Sequence, residues 1–161
     1  FHEEYARNLQ KASLFWGVWI ENLFDYGSAR RAYGVNGSGL VTLNRRECKD
    51  AFYLYKAMWN RDAPTLHIVD KRRRLRDSEK QLFRVYSSAG MPLLTVGADT
   101  VAVTEYAPCQ YRTDSVDVKG TFLVRAAAGE LRDSVIIRVG NVLKPKRTPG
   151  LPRTANPQTT N

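Results

Sequence analysis

The chain has 161 residues, with 25 Lys and Arg against 16 Asp and Glu and a formal charge of +9. At 43% hydrophobic and 11% aromatic it has a globular composition, neither disordered nor collagen-like. It is too short for a complete (β/α)₈ barrel, which takes roughly 250 residues. The charge excess is local: Lys71 to Arg76 supplies five positives and Lys144 to Asn161 four, without one acid in either stretch, so the rest balances at 16 against 16. That argues against nucleic acid as a general partner. Cys48 and Cys109 lie in unrelated contexts without metal-ligand spacing and read as two reduced thiols. No window is apolar enough for a membrane-spanning helix.

Phe1, Tyr5, Leu9 and Ala12 recur at helical spacing and predict a helix over Phe1–Ala12. The chain thus begins inside an element and without Met, which reads as a piece of something longer. Leu14-Phe-Trp-Gly-Val-Trp-Ile20 is a continuous apolar run of strand length, the pattern of a strand buried on both faces. A Gly-rich loop follows, through Gly27, Gly34, Gly37 and Gly39, whose glycines read as backbone freedom rather than as a phosphate turn. Asn44-Arg-Arg-Glu47 resembles a capping box. It predicts a helix over 44–59 with Cys48, Ala51, Phe52, Tyr55, Met58 and Trp59 on its apolar face.

After Asp62-Ala-Pro64 the pattern changes. Thr65–Val69, Leu82–Ser87, Leu93–Val96, Val101–Tyr106, Tyr111–Val118, Thr121–Ala127 and Ser134–Val139 read as short strands between turn residues. Alternation is clearest in Val116/Val118, Phe122/Val124/Ala126 and Val135/Ile137/Val139. Residues 65–143 therefore fit an immunoglobulin-like β-sandwich. Residues 144–161, basic and Pro-rich, read as a tail or linker.

Three quoted stretches carry a resemblance. They are Trp16-Gly-Val-Trp-Ile-Glu-Asn-Leu-Phe-Asp-Tyr-Gly-Ser28, Asn36-Gly-Ser-Gly-Leu-Val-Thr-Leu-Asn-Arg45 and Lys49-Asp-Ala-Phe-Tyr-Leu-Tyr-Lys-Ala-Met-Trp59. In this order and spacing they resemble the end of the catalytic barrel in glycoside hydrolase family 2, the β-galactosidase and β-glucuronidase family. The resemblance is dense over about residues 1–60. It implies an α+β fragment: residues 1–61 as the last helix-strand-loop-helix unit of a (β/α)₈ barrel, followed by the sandwich. On this reading 14–20 is the eighth barrel strand and 44–59 the eighth barrel helix.

The resemblance also implies that the two catalytic glutamates of a retaining mechanism lie upstream of Phe1. No catalytic residue is expected in this chain, which by itself is expected to be inactive. Glu21 and Asp25 do not replace the pair. Four residues of extended strand span about 13 Å, against the 5–5.5 Å of a retaining dyad.

What is expected instead is one wall of a sugar site, because the loop after a barrel strand faces the active-site mouth. The family's substrate-contacting Trp falls on Glu21, a departure that exchanges an aromatic platform for a hydrogen-bond acceptor. Glu21 either meets sugar hydroxyls or pairs with Arg30 or Arg31. Trp19 either supplies the apolar surface or packs in the barrel. The family's uronate-binding Asn-x-Lys motif falls on Asn36-Gly37-Ser38, so Asn36 is a third candidate for substrate binding. Loss of that Lys to Ser38 favours a neutral sugar, with a β-galactoside as the default. The same tripeptide reads as a glycosylation sequon, discounted for a chain of bacterial architecture.

His2 and His67 lack partners at metal spacing and read as packing or surface residues. No serine lies in a nucleophile-elbow context. Lys71–Arg76 reads as solvated surface or as a patch for the barrel or an acidic polymer. The mechanism requires no cofactor and no metal, although some members of the family hold metals near the site. The expected partners are a carbohydrate substrate and the rest of the barrel, or a further copy of the chain, with no nucleic acid and no membrane. The sequence does not fix a compartment, although a periplasmic or secreted parent accords with polysaccharide degradation. A non-catalytic carbohydrate-binding or docking sandwich is the alternative reading.

Overall fold

The computed structural model describes residues 1–12, 14 and 16–140. The expected tail at 144–161 lies outside the described residues. Helix α1 spans His2–Lys11, with Glu3 and Glu4 in its first turn and Lys11 in its last, each sign placed where the helix dipole favours it. Beyond it, the expected buried strand over 14–20 does not form. None of its described residues is in a strand, Leu14 is 92% and Trp16 90% exposed, and Phe15 lies outside the described residues. Continuous apolarity signals a need for burial, but Leu14, Trp16 and Trp19 stay exposed, and among the described residues of the run Ile20 alone packs against the core under the helices.

A two-residue hairpin follows, β1 (Tyr26–Gly27) against β2 (Val35–Asn36), antiparallel. Helix α2 covers Asp50–Trp59, six residues shorter at its start than expected. Asn44 does not cap it. Its carboxamide oxygen accepts from the Arg46 N–H (3.1 Å) and the Thr42 hydroxyl (2.7 Å), a local turn that competes with helix. Arg45 adopts φ 60° there, which takes the chain out of helical geometry.

The remaining strands are β3 (Leu66–Ile68), β4 (Leu75–Arg76), β5 (Lys80–Gln81), β6 (Arg84–Ser87), β7 (Leu93–Val96), β8 (Asp99–Val101), β9 (Thr104–Ala107), β10 (Gln110–Arg112), β11 (Val116–Asp117), β12 (Thr121–Ala128) and β13 (Leu131–Val139). One sheet has the order β3-β6-β10-β9 and a larger one β4-β13-β12-β7-β8, with β11-β5 as a separate pair. The β12–β13 hairpin sets Val124 opposite Val135 and Phe122 opposite Ile137. Its alternate residues Val124, Val135, Ile137 and Val139 are buried. They join Ile68, Phe83, Val85 and Tyr111 from the other side to form one core between the two sheets. β4 is added parallel to β13, so the basic run itself contributes a strand.

A second core lies under the helices. Ala6 of α1 and Leu54, Tyr55 and Ala57 of α2 pack with Leu40, Val69 and Tyr86. Fully burying a side chain such as Leu54 stabilises by about 1.5–3 kcal/mol. Polar bonds tie α1 to the first sheet: the Glu3 carboxylate accepts from the Arg84 guanidinium (3.0 Å) and the Tyr86 hydroxyl (2.6 Å). Arg84 also donates to Asp70 at 2.8 Å. Burial and the Glu3 carboxylate push the Tyr86 hydroxyl far above the usual phenol range, so it stays a proton donor to Glu3.

Candidate functional site: a loop wall braced by Asp25 and Lys49

The segment after the expected strand runs alongside a later one. Asn22 and Leu23 carbonyls accept from the Leu40 and Val41 N–H groups (3.0 and 2.9 Å), and the Asp25 N–H donates to the Val41 carbonyl (2.9 Å). Phe24 and Val41 form a parallel bridge, and Val41 a second, antiparallel one to Cys48. The contact is close because Gly39 has no side chain: a Cβ there would lie 2.2 Å from the Asp25 nitrogen and the Phe24 carbonyl carbon. Gly37, two residues earlier, faces open space. The glycine pattern that reads as loop freedom thus has a packing cause at Gly39.

Asp25 fastens this arrangement. Its carboxylate is only 10% exposed. It accepts from the Gly39 N–H at 2.9 Å and from Lys49 Nζ at 2.5 Å. Lys49 also donates to the Gly37 carbonyl at 2.8 Å. One ammonium therefore ties the start of α2 to both sides of the loop. Asp25 and Lys49 stand in the quoted motifs, but a bond spanning 24 residues leaves no periodic signal.

The three candidates from the sequence are not brought to one point. Trp19 and Glu21 share the wall of a small hollow of about 210 Å³ with Phe1, Tyr5 and Tyr55. Trp19 is 75% exposed, with Trp16 edge-on at 5.3 Å. It also borders a wider apolar hollow of about 840 Å³ that includes Leu23, Phe52 and Trp59. Glu21 is exposed and makes no ion pair with Arg30 or Arg31 among the described residues. The peptide bond from Glu21 to Asn22 is cis. Asn36 is held in the hairpin, donating to the Tyr26 hydroxyl (2.7 Å) and accepting from the Ser38 N–H (3.1 Å). Tyr26 and the fully exposed Tyr33 at the hairpin tip were not singled out in the sequence.

His67 is a packing residue, 4% exposed. It stacks on Tyr53 at 3.9 Å and its Nε2 bonds Asp50 at 2.7 Å. Burial pushes the Asp50 carboxyl up, but the His67 hydrogen bond, the Asp70 N–H and nearby charges outweigh it and hold it below the usual range. Both cysteines are free. Among the described residues no group of three His, Cys, Asp or Glu could hold a metal ion, and no helix is long and apolar enough to cross a membrane.

No family model matches the chain. A β-glucuronidase from Bacteroides fragilis is 39% identical over 93 residues, 55% of this chain and 13% of that protein. Among solved structures, an FMN-binding β-glucuronidase from Facaelibacterium prausnitzii L2-6 superposes with a TM-score of 0.77 at 30% identity. That match covers 86% of this chain and 22% of the other. A candidate β-galactosidase from Bacteroides fragilis gives a TM-score of 0.68 at 23% identity, over 74% of this chain and 19% of the other, a likeness of fold alone. The chain therefore spans less than a quarter of the relatives it matches. The resemblance to the β-galactosidase and β-glucuronidase family is borne out in sequence and in fold. The chain is a mostly β relative of part of these glycoside hydrolases.

Proposed function

We propose that the chain is the C-terminal part of a retaining glycoside hydrolase that cleaves β-linked sugars. Residues 1–61 would complete its (β/α)₈ barrel and residues 65–143 would be its immunoglobulin-like domain. The observation that carries this reading is the braced contact of Asn22–Asp25 with Gly39–Val41, which falls within the quoted motifs. It gives the loop after residue 20 a fixed shape, as a substrate wall requires. The acid/base and nucleophile, about 5–5.5 Å apart in a retaining enzyme, would come from the upstream strands. Glu21 and Trp19 would face the sugar from one side, and Asn36 would reach it through the hairpin. The mechanism needs only the two carboxyl groups and water.

The uncovered apolar surface supports the same reading. Trp19 and Trp59, 75% and 50% exposed, line the 840 Å³ hollow, and Trp16, 90% exposed, stands edge-on to Trp19, a patch of the kind that marks an interaction surface. The missing barrel strands would cover it. Without them the chain is expected to self-associate, and a monodisperse monomer in light scattering would count against this.

Ser38 in place of a uronate-binding Lys favours a β-galactoside. A β-glucuronide is the second reading, favoured by Lys49, whose ammonium reaches the Asn36–Ser38 turn from the start of α2. The full-length parent, assayed with nitrophenyl β-galactoside and β-glucuronide, separates the two. The 161-residue chain is expected to hydrolyse neither, and turnover by it would overturn the placement of the catalytic pair upstream. A parent lacking two glutamates on upstream barrel strands would leave the sandwich as a non-catalytic carbohydrate-binding or docking module.

A further inference from the structure

Folding divides the basic run from Lys71 to Arg76 among different tasks. Lys71 pairs with Asp133 at 2.7 Å, and Arg73 with Asp77 at 3.1 Å. Arg76 is 6% exposed and donates to Gln81 at 2.7 Å. Among the described residues Arg72 pairs only with Glu47, at 3.5 Å, with both side chains more than half exposed. Arg74 makes no ion pair among the described residues, and neither does Arg46 on the turn before α2. These last three arginines border one hollow of about 520 Å³, together with Lys71, Glu47 and Tyr53. Four cations therefore face a single carboxylate in its wall.

The two turns that frame the hollow are fixed. Arg45 and Asp70 both adopt left-handed backbone, at φ 60° and 62°, which non-glycine residues hold only when their surroundings impose it. The Arg45 N–H donates to the Thr42 carbonyl at 2.8 Å, and its guanidinium lies 4.6 Å from the centre of the Phe24 ring. Asp70 is held by Asp50 through its N–H at 3.1 Å and by Arg84 through its carboxylate at 2.8 Å. Arg46 is thus carried on a pre-formed turn, and Arg74, just beyond the other, is fixed through its carbonyl, which accepts from the Arg138 N–H at 2.8 Å; such fixed backbone lowers the cost of binding. The hollow also continues the loop wall. Val41 bridges both Phe24 and Cys48, and Lys49, next in the chain, braces Asp25 and Gly37.

We propose that this hollow binds an acidic segment of a sugar chain, whose carboxylate or sulfate groups are taken by Arg46, Arg72 and Arg74. Guanidinium groups hold such oxyanions by paired, charge-assisted hydrogen bonds. The shared segment 41–49 lets one polymer run from the loop wall into the hollow, so the inference rests on the glycoside hydrolase reading. A nucleic acid fits less well. The Tyr53 ring is already stacked on His67, 3.9 Å away and within 9° of parallel, so that face cannot serve as a base-stacking platform.

The test is calorimetric titration of the 161-residue chain, at about 50 mM salt where exposed charges are weakly screened. The ligands are oligogalacturonate, a sulfated oligosaccharide, a neutral galacto-oligosaccharide, single-stranded DNA and a simple phosphate monoester. Saturable binding of the first or second is expected, and which of them binds identifies the acidic group. The double variant Arg46→Ala/Arg74→Ala should weaken it about tenfold or more, two charge-assisted contacts being lost. Arg112→Ala, exposed on β10 of the other sheet and not part of the wall of the hollow, should not. The proposal is overturned if neither acidic glycan binds, if the double variant binds as well as the parent sequence, or if the neutral sugar, the DNA or the phosphate ester binds equally well. Because binding rather than turnover is read, a parent without glycosidase activity would refute the functional reading while this measurement keeps its own result.

Discussion

Replacing Gly39 by alanine tests whether the wall is held by backbone contact. The new Cβ would stand 2.2 Å from the Asp25 nitrogen and the Phe24 carbonyl carbon, and 2.7 Å from the Phe24 oxygen. Carbon atoms pack best at about 3.5–4.0 Å, so one strand must move by more than 1 Å. No side chain can rotate away, because the neighbours are backbone. Overpacking typically costs about 1–3 kcal/mol. Separation would also forfeit the bonds from Asp25, Leu40 and Val41, each worth about 1 kcal/mol net. A loss of about 3 kcal/mol is expected for the local structure, without unfolding of the sheets. Native-state hydrogen exchange reads it as lost protection at the Asp25, Leu40 and Val41 amides, with β12 and β13 unchanged. Gly37→Ala, which meets nothing within 4 Å, should shift these amides by no more than about 0.5 kcal/mol. Equal protection in the two variants would refute the close-contact account.

Other perturbations have defined outcomes. Lys49→Met leaves the largely buried Asp25 carboxylate without its cation, and a loss of about 2 kcal/mol is expected by urea titration; a value near zero would make the pair incidental. Glu3→Ala removes the acceptor of both Arg84 and Tyr86. It should cost about 1–3 kcal/mol and free α1, visible as rapid exchange of the α1 amides. His2 bonds the Tyr55 hydroxyl at 3.1 Å; burial, then the chain's own amino group and Lys49, hold its pKa below the ordinary value. The native state therefore binds fewer protons than the unfolded chain. The His2 contribution is whole above about pH 6.5 and declines as pH falls through the window below it. His2→Phe should flatten stability between about pH 5 and 7, and an unchanged slope would exclude His2 as its source.

The hairpin of β12 and β13 could be read from the sequence because its partners are neighbours in the chain. Alternation in Val124/Ala126 and Val135/Ile137/Val139 specifies which face is buried. The strand at Leu93–Val96 likewise matches its expected bounds. The run over 14–20 and the start of α2 could not be read in this way. Apolarity at Leu14, Trp16 and Trp19 states that a cover is needed without supplying one. The Asn44–Glu47 pattern fits a cap and a turn equally well until Arg45 takes a left-handed backbone.

For the site, sequence alone determined the resemblance to the β-galactosidase and β-glucuronidase family and singled out Trp19, Glu21 and Asn36 as the expected substrate residues. It also placed the excess charge in two runs. Only the tertiary structure decided that Asp25 belongs to Lys49, that Asn36 is held by Tyr26, and that Gly39 is a contact rather than a hinge. It likewise decided which arginines of the basic run are paired or buried and which are left to face a hollow with Arg46. Periodicity and motif spacing report interactions between near neighbours and the faces they share. An ion pair 24 residues apart, or a carboxylate that neutralises one arginine and not the next, is fixed only when distant segments meet.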